Sequence, residues 1–209
     1  MKYLYQELIE LGAYLSKMGY SVGSAGNLSV RFDENHILCT PTNANLGTLQ
    51  QDEISLISLD DNRLVKGKPP TKEVSFHQAI YQKYPHAHSV IHLHSSYLTA
   101  LSCLQNLNPQ NVIKAFTPYV VMRVGDVPLI PYHTPGSPKI AKEVTKLPSH
   151  ISAFLMANHG VSVFGSNIND ARNKFEELEE TAKLYFLLRN QDVSYLTKEE
   201  IYQLKEKKS

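Results

Sequence analysis

Ser89-Val90-Ile91-His92-Leu93-His94 is a short run of β-branched and apolar residues, and it reads as a β-strand. Side chains at i and i+2 of a strand share a face, so His92 and His94 project side by side. Two imidazoles from one element suit a tetrahedral metal site. The same pair also fits a plainer account, with one histidine in the core and the other on the surface. The hydrolase pattern His-x-His-x-Asp fails here, because position 96 is Ser96. Zinc-finger readings fail for want of cysteine pairs: the two cysteines, Cys39 and Cys103, are far apart.

The surroundings of this strand set the fold class. Ser95 to Leu104 reads as the helix that follows it. Upstream, Leu4, Leu8, Leu11, Leu15 and Met18 form one apolar stripe over residues 3–19, an amphipathic helix ended by Gly19. Residues 21–32 lead through small residues into an alternating strand. His36–Pro41 is its hairpin partner, turned at Asp33-Glu34-Asn35. Residues 53–59 and 63–67 form a second hairpin around Asp60-Asp61-Asn62. Strands so close in sequence favour antiparallel pairing. A helix is expected after Pro70, with Thr71 as its cap and Glu73 in its first turn. Residues 153–165 read as two short strands broken at Asn158-His159-Gly160. Residues 168–190 form a long helix, a last short helix follows Thr197, and Asn106 to Pro138 is a long Pro- and aromatic-containing stretch. With 209 residues, no repeat and no composition break, an α/β chain of one domain, 1–209, is expected.

Other polar residues offer chemistry, each with a plainer alternative. His159 sits beside Gly160, which allows a sharp turn that aims the ring inward; taken alone, a solvated turn histidine is the better reading. Glu73 is a candidate ligand or proton carrier, or simply an acid that complements a helix dipole. His77, one turn later, is a ligand or a half-buried face residue. His36, His86, His88, His133 and His150 read as structural or loop residues. Ser24-Ala25-Gly26-Asn27 and Thr40-Pro41-Thr42-Asn43 offer backbone N–H groups and hydroxyls to an anion, although neither is a P-loop.

Bulk composition narrows the partners. Lys plus Arg number 21 and Asp plus Glu number 20, so no basic excess exists to neutralise a nucleic acid. No apolar run approaches the roughly 20 residues a bilayer demands. Glu7 and Glu10 interrupt the N-terminal apolar pattern, which makes a poor signal peptide. The expectation is a soluble, cytoplasmic protein with reduced thiols.

Taken in order, residues 24–31 (SAGNLSVR), 40–47 (TPTNANLG), 68–73 (KPPTKE), 92–95 (HLHS) and 157–160 (ANHG) resemble the class II aldolase and adducin family. That resemblance implies a single α/β/α domain around a mostly antiparallel central sheet, usually a homotetramer. It implies a Zn²⁺, or another divalent transition metal, on His92, His94 and His159. Glu73 becomes the catalytic glutamate that also ligates the resting metal. Gly26, Asn27, Thr42, Asn43 and Thr71 become the phosphate seat. Two departures stand out: the family's usual Ser-Gly is Thr42-Asn43 here, and its usual Ser-Ser is Thr71-Lys72. Residues 99–105, 111–136 and 176–184 are similar to the subgroup that decarboxylates 3-oxo-tetronate 4-phosphates. There Tyr119 corresponds to a tyrosine that donates a proton across a subunit boundary. The apolar run 116–122 (FTPYVVM) is too hydrophobic for an exposed loop and supports assembly. The implied substrate is a small phosphorylated sugar acid, cleaved to dihydroxyacetone phosphate and carbon dioxide. A sugar-phosphate aldolase or epimerase is the alternative on the same apparatus, and a catalytically silent binding module like the adducin head is a third.

Overall fold

The computed structural model describes residues 2–206. Seven helices and eight strands occur among them in the order α1 (Lys2–Lys17), β1 (Asn27–Arg31), β2 (His36–Cys39), β3 (Ser55–Ser58), β4 (Leu64–Lys66), α2 (Val74–Lys83), β5 (Ser89–Leu93), α3 (Ser96–Ser102), α4 (Pro118–Arg123), β6 (Leu129–Ile130), α5 (Pro138–Lys146), β7 (Ala153–Met156), β8 (Gly160–Gly165), α6 (Ile168–Leu187) and α7 (Lys198–Glu206). The strands form one sheet in the order β4-β3-β2-β1-β5-β8-β7-β6. Every neighbouring pair is antiparallel except β6 with β7. This is a single α/β domain with a mostly antiparallel sheet, as the sequence implied.

Strand alternation sorts the side chains into two apolar layers. Leu28, Val30, Ile91, Leu93, Val161 and Val163 join Leu8, Leu11 and Leu15 of α1, Leu98 and Leu101 of α3 and Phe175 and Leu178 of α6. Ile37, Cys39, Val90, Phe154 and Phe164 face the other way and pack on Phe76 and Ile80 of α2 and Ile140 and Val144 of α5. β5 lies between β1 and β8, so all five of its residues are buried. Among the described residues no helix is long and apolar enough to cross a membrane.

Three sequence expectations need correction. α2 begins at Val74, and Glu73 is its boundary residue (φ −98°, ψ 6°) instead of a first-turn residue. Thr71 still catches a backbone N–H nearby, since its Oγ1 accepts from Glu73 N at 3.3 Å. The stretch 106–138, to which the sequence reading assigns no element, contains α4 and β6, and α5 starts at its end. Both helices carry Pro at a first-turn position, where the missing N–H costs nothing. The apolarity of 116–122 is partly consumed inside the chain, because Val120 and Val121 are buried while Tyr119 and Met122 are exposed.

Candidate metal centre

Three adjacent strands converge at one end of the sheet to build the site. β1 starts at Asn27, which is in register with His92 on β5, and His92 is in register with Ser162 on β8. His92 is fully buried and faces the α2 side, where Phe76 meets its ring edge-on at 5.4 Å. Its Nδ1 lies 2.9 Å from the carbonyl of Val161. Only a donor fits there, so Nδ1 carries the hydrogen and the Nε2 lone pair is left for a ligand. His94 stands one residue beyond the end of β5 and is exposed. The expectation of two ligands on one strand is thus half met, yet the two Nε2 atoms are 3.0 Å apart.

His159 enters from the turn between β7 and β8. Asn158 adopts the left-handed region (φ 54°), which turns the chain sharply. Gly160 has no room for a side chain, since a Cβ there would lie 2.5 Å from the Leu93 carbonyl and 3.1 Å from the His94 ring. That close approach seats His159 beside the other two, with ring centroids 5.0 Å from His92 and 4.9 Å from His94. Glu73 reaches in from the start of α2. Its Oε2 is 3.2 Å from His92 Nε2, and its Oε1 is 3.5 Å from His159 Nε2. One ligand atom from each of Glu73, His92, His94 and His159 falls within 4.8 Å of all the others.

The donor set fits a divalent cation. Glu73 Oε1 and both ring nitrogens of His159 are buried without a hydrogen-bond partner among the described residues. Buried polar atoms are nearly always satisfied, so these point to a missing ligand. Burial pushes the imidazoles of His94 and His159 down to about 4, with the neighbouring His92 adding to the effect. His94 is exposed as a residue, yet burial remains the larger cause of its shift and the neighbouring His92 and His159 add to it. Both are therefore neutral at pH 7, the form that binds metal. Burial alone would raise the Glu73 carboxyl; His92, the Asn27 amide and His159 outweigh it and hold the group well below the usual carboxylate range.

Two further groups of residues hold these four. Asn27 Nδ2 donates to Glu73 Oε2 at 2.9 Å, while its Oδ1 lies 2.6 Å from His77 Nε2. His77 is fully buried and is not among the clustered ligands, which resolves the choice left open by the sequence. On the other side, Glu179 of α6 accepts from Ser95 Oγ (2.7 Å), Tyr97 N (3.0 Å) and Leu98 N (3.0 Å). Those three residues closely follow His94. Sequence reading misses Glu179, although a signal exists. It lies four residues after buried Phe175 and beside buried Leu178, an acid within an apolar helical stripe.

The expected phosphate residues come to the same sheet end. Gly26 has φ 82°, and a Cβ there would lie 2.7 Å from the His92 carbonyl. The segment after β2 runs beside the approach to α2, through Thr42 N to Pro69 O at 3.0 Å and Thr71 N to Thr40 O at 3.1 Å. Asn43 takes the left-handed region (φ 57°) that a glycine would otherwise supply. Tyr119 is not part of the cluster within its own chain. It is 55% exposed on α4, with the Arg123 guanidinium 5.6 Å from its ring centre.

The sequence profile of the Class II Aldolase and Adducin N-terminal domain matches residues 6–186. The chain belongs to the class II aldolase and adducin family. Within that family, it is 52% identical to a 3-oxo-tetronate 4-phosphate decarboxylase of Haemophilus influenzae over 94% of this chain and 93% of that one. An L-fuculose phosphate aldolase of Methanococcus maripaludis is 36% identical over 82% of this chain and 89% of its own. Among solved structures, YgbL of Klebsiella pneumoniae, described as a putative aldolase/epimerase/decarboxylase, superposes with a TM-score of 0.94 at 49% identity, covering 97% of this chain and 98% of that one.

Proposed function

We propose that this chain is a metal-dependent 3-oxo-tetronate 4-phosphate decarboxylase yielding dihydroxyacetone phosphate and carbon dioxide. The observation that carries the choice over an aldolase is the 52% identity to a decarboxylase, against 36% to an L-fuculose phosphate aldolase. The reading takes the whole chain, 1–209, as one catalytic domain. His92, His94, His159 and, at rest, Glu73 hold one divalent ion, with Zn²⁺ suited to three neutral imidazoles. The cytoplasm is the proposed setting, in keeping with Cys39 and Cys103 as free thiols.

The substrate is a β-keto acid with a hydroxyl on the carbon between carboxylate and ketone. When the bond to the carboxylate breaks, carbon dioxide leaves and the electron pair stays on that carbon, delocalised to the ketone oxygen. A divalent ion supplies the positive charge that steadies this oxygen. The residues supply the rest. Glu73 is held ionised with one oxygen tied to Asn27, so its other oxygen is free to accept the hydroxyl proton and later return it. Gly26, Asn27, Thr42, Asn43 and Thr71 seat the phosphate; Asn27 Nδ2 has one hydrogen left for it after donating to Glu73. The carbanionic carbon takes up one proton, which completes the balance. Tyr119 is the proposed donor, reaching the site of a neighbouring copy in a homotetramer; its exposure within the single chain supports that role.

A coupled assay with 3-oxo-tetronate 4-phosphates of both configurations tests the reading. Equimolar dihydroxyacetone phosphate and carbon dioxide are expected from one of them. Release of an aldehyde without carbon dioxide would overturn it in favour of the aldolase. Tyr119→Phe is expected to assemble and bind metal but to form product far more slowly.

A further inference from the structure

A buried file of side chains stands behind Glu73, and every hydrogen in it can be assigned. Asn27 faces a carboxylate at one end, so Nδ2 must point to Glu73 and Oδ1 to His77. The opposite amide orientation would set a carbonyl oxygen against the anion. His77 Nε2 must then donate, at 2.6 Å, to Asn27 Oδ1. A neutral imidazole has one hydrogen, so Nδ1 accepts, and the partner 2.7 Å away is the Ser29 hydroxyl. With the Ser29 proton spent, the Tyr81 hydroxyl must donate to Ser29 Oγ across 2.8 Å. The order is Tyr81, Ser29, His77, Asn27, Glu73, each donating to the next. Ser29 and His77 are fully buried, and Tyr81 is 3% exposed.

We propose that His77 is a positioning residue whose Nε2 hydrogen fixes the Asn27 amide and thereby locks the Glu73 carboxylate, with Oε2 tied to Asn27 beside His92 and Oε1 turned to His159. The inference rests on Glu73 as the working carboxylate. Burial favours the same protonation states, pushing His77 down to about 3 and the Tyr81 hydroxyl up. The file also has a limit. Its Tyr81 end lines a cavity of about 820 Å³ that includes none of the four clustered residues. A chain of hydroxyls and imidazoles would relay protons from there, but the Asn27 amide neither gains nor loses a proton at neutral pH. The file therefore orients Glu73 without feeding it protons.

Long-range ¹H–¹⁵N correlation on the labelled, metal-loaded protein reads the tautomer directly. The expected result is a His77 ring protonated at Nε2 and bare at Nδ1 at pH 7. Protonation at Nδ1, or at both nitrogens, would overturn the proposal whatever reaction the enzyme performs. Variants supply a second reading. The terminal amide of His77→Gln reaches about as far as Nε2 and can still donate to Asn27, whereas the shorter amide of His77→Asn cannot. His77→Asn is expected to bind zinc about 10- to 100-fold more weakly in chelator competition. It should also lose kcat with little change in KM, and His77→Gln should recover much of both. Equal metal affinity in the two variants would sink the lock. Loss of product formation in every form, with the tautomer as stated, would count against the decarboxylase reading alone.

Discussion

Glu73 and His94 sit on opposite sides of the same site, and they are held by different means. The Glu73 carboxylate is gripped by side chains, through Asn27 and His77, all three of them buried. His94 is exposed and is placed by its backbone, because the turn that follows it is tied at three points to Glu179. The first arrangement fixes how the carboxylate is turned, with Oε2 beside His92 and Oε1 beside His159. The second fixes where a histidine stands while leaving the ring open to the outside. A carboxylate that carries protons, the role proposed for Glu73, needs a defined orientation.

Each half can be broken separately. The largest effect is expected from Glu73→Gln, which keeps the shape and removes the charge: turnover should fall about 10²-fold or more with the fold intact. Near-parent turnover would make Glu73 a helix-end charge. Glu179→Ala strikes the other half by removing the acceptor of three donors, two of them buried. It should lower unfolding free energy by about 2 kcal/mol in urea and weaken metal binding. Unchanged metal affinity in a destabilised but folded protein would show that the turn does not place His94.

Acid should separate the halves by titration in the metal-free protein. The folded values of His77, His94 and His159 lie below the ordinary 6.5, at about 3, 4 and 4. The unfolded chain thus binds more protons as pH falls below about 6.5, and stability present above that pH is progressively lost. For buried His77 the slope is at most about 1.4 kcal/mol per pH unit. His77→Gln should flatten the acid limb in denaturant titrations from pH 7 to 4; an identical limb would show that His77 is not buried in neutral form. The smallest effect belongs to Ser95→Ala, which removes one of the three donors to Glu179 and should cost about 1 kcal/mol. No measurable cost would mean that the backbone donors alone hold the turn.

Much of this architecture is legible in the order of the amino acids. Period-two and period-3.6 patterns mark α1, α6 and the paired strands, and five ordered motifs bring Glu73, His92, His94 and His159 together. What escapes such reading has a common cause. α4 and α5 are six and nine residues long, too short for a periodic stripe to stand out, although Ser137 does cap α5 by accepting from Lys139 N. The roles of His77 and Glu179 depend on partners 50 and more than 80 residues away, so no local pattern reveals them. The apolarity of the run 116–122 supports assembly in the sequence, whereas the fold buries Val120 and Val121 and leaves Tyr119 and Met122 exposed.

The strand order has a consequence for synthesis. β5 is flanked by β1, some sixty residues earlier in the chain, and by β8, some seventy later. A chain emerging from the ribosome can present His92 and His94 long before the turn carrying His159 has left the exit tunnel. Until then β5 has one neighbour, and the pocket for an ion is missing a wall. A metal held as proposed would therefore be captured only after most of the polypeptide has been made, because Glu73, His92 and His94 emerge well before His159 completes the group of four.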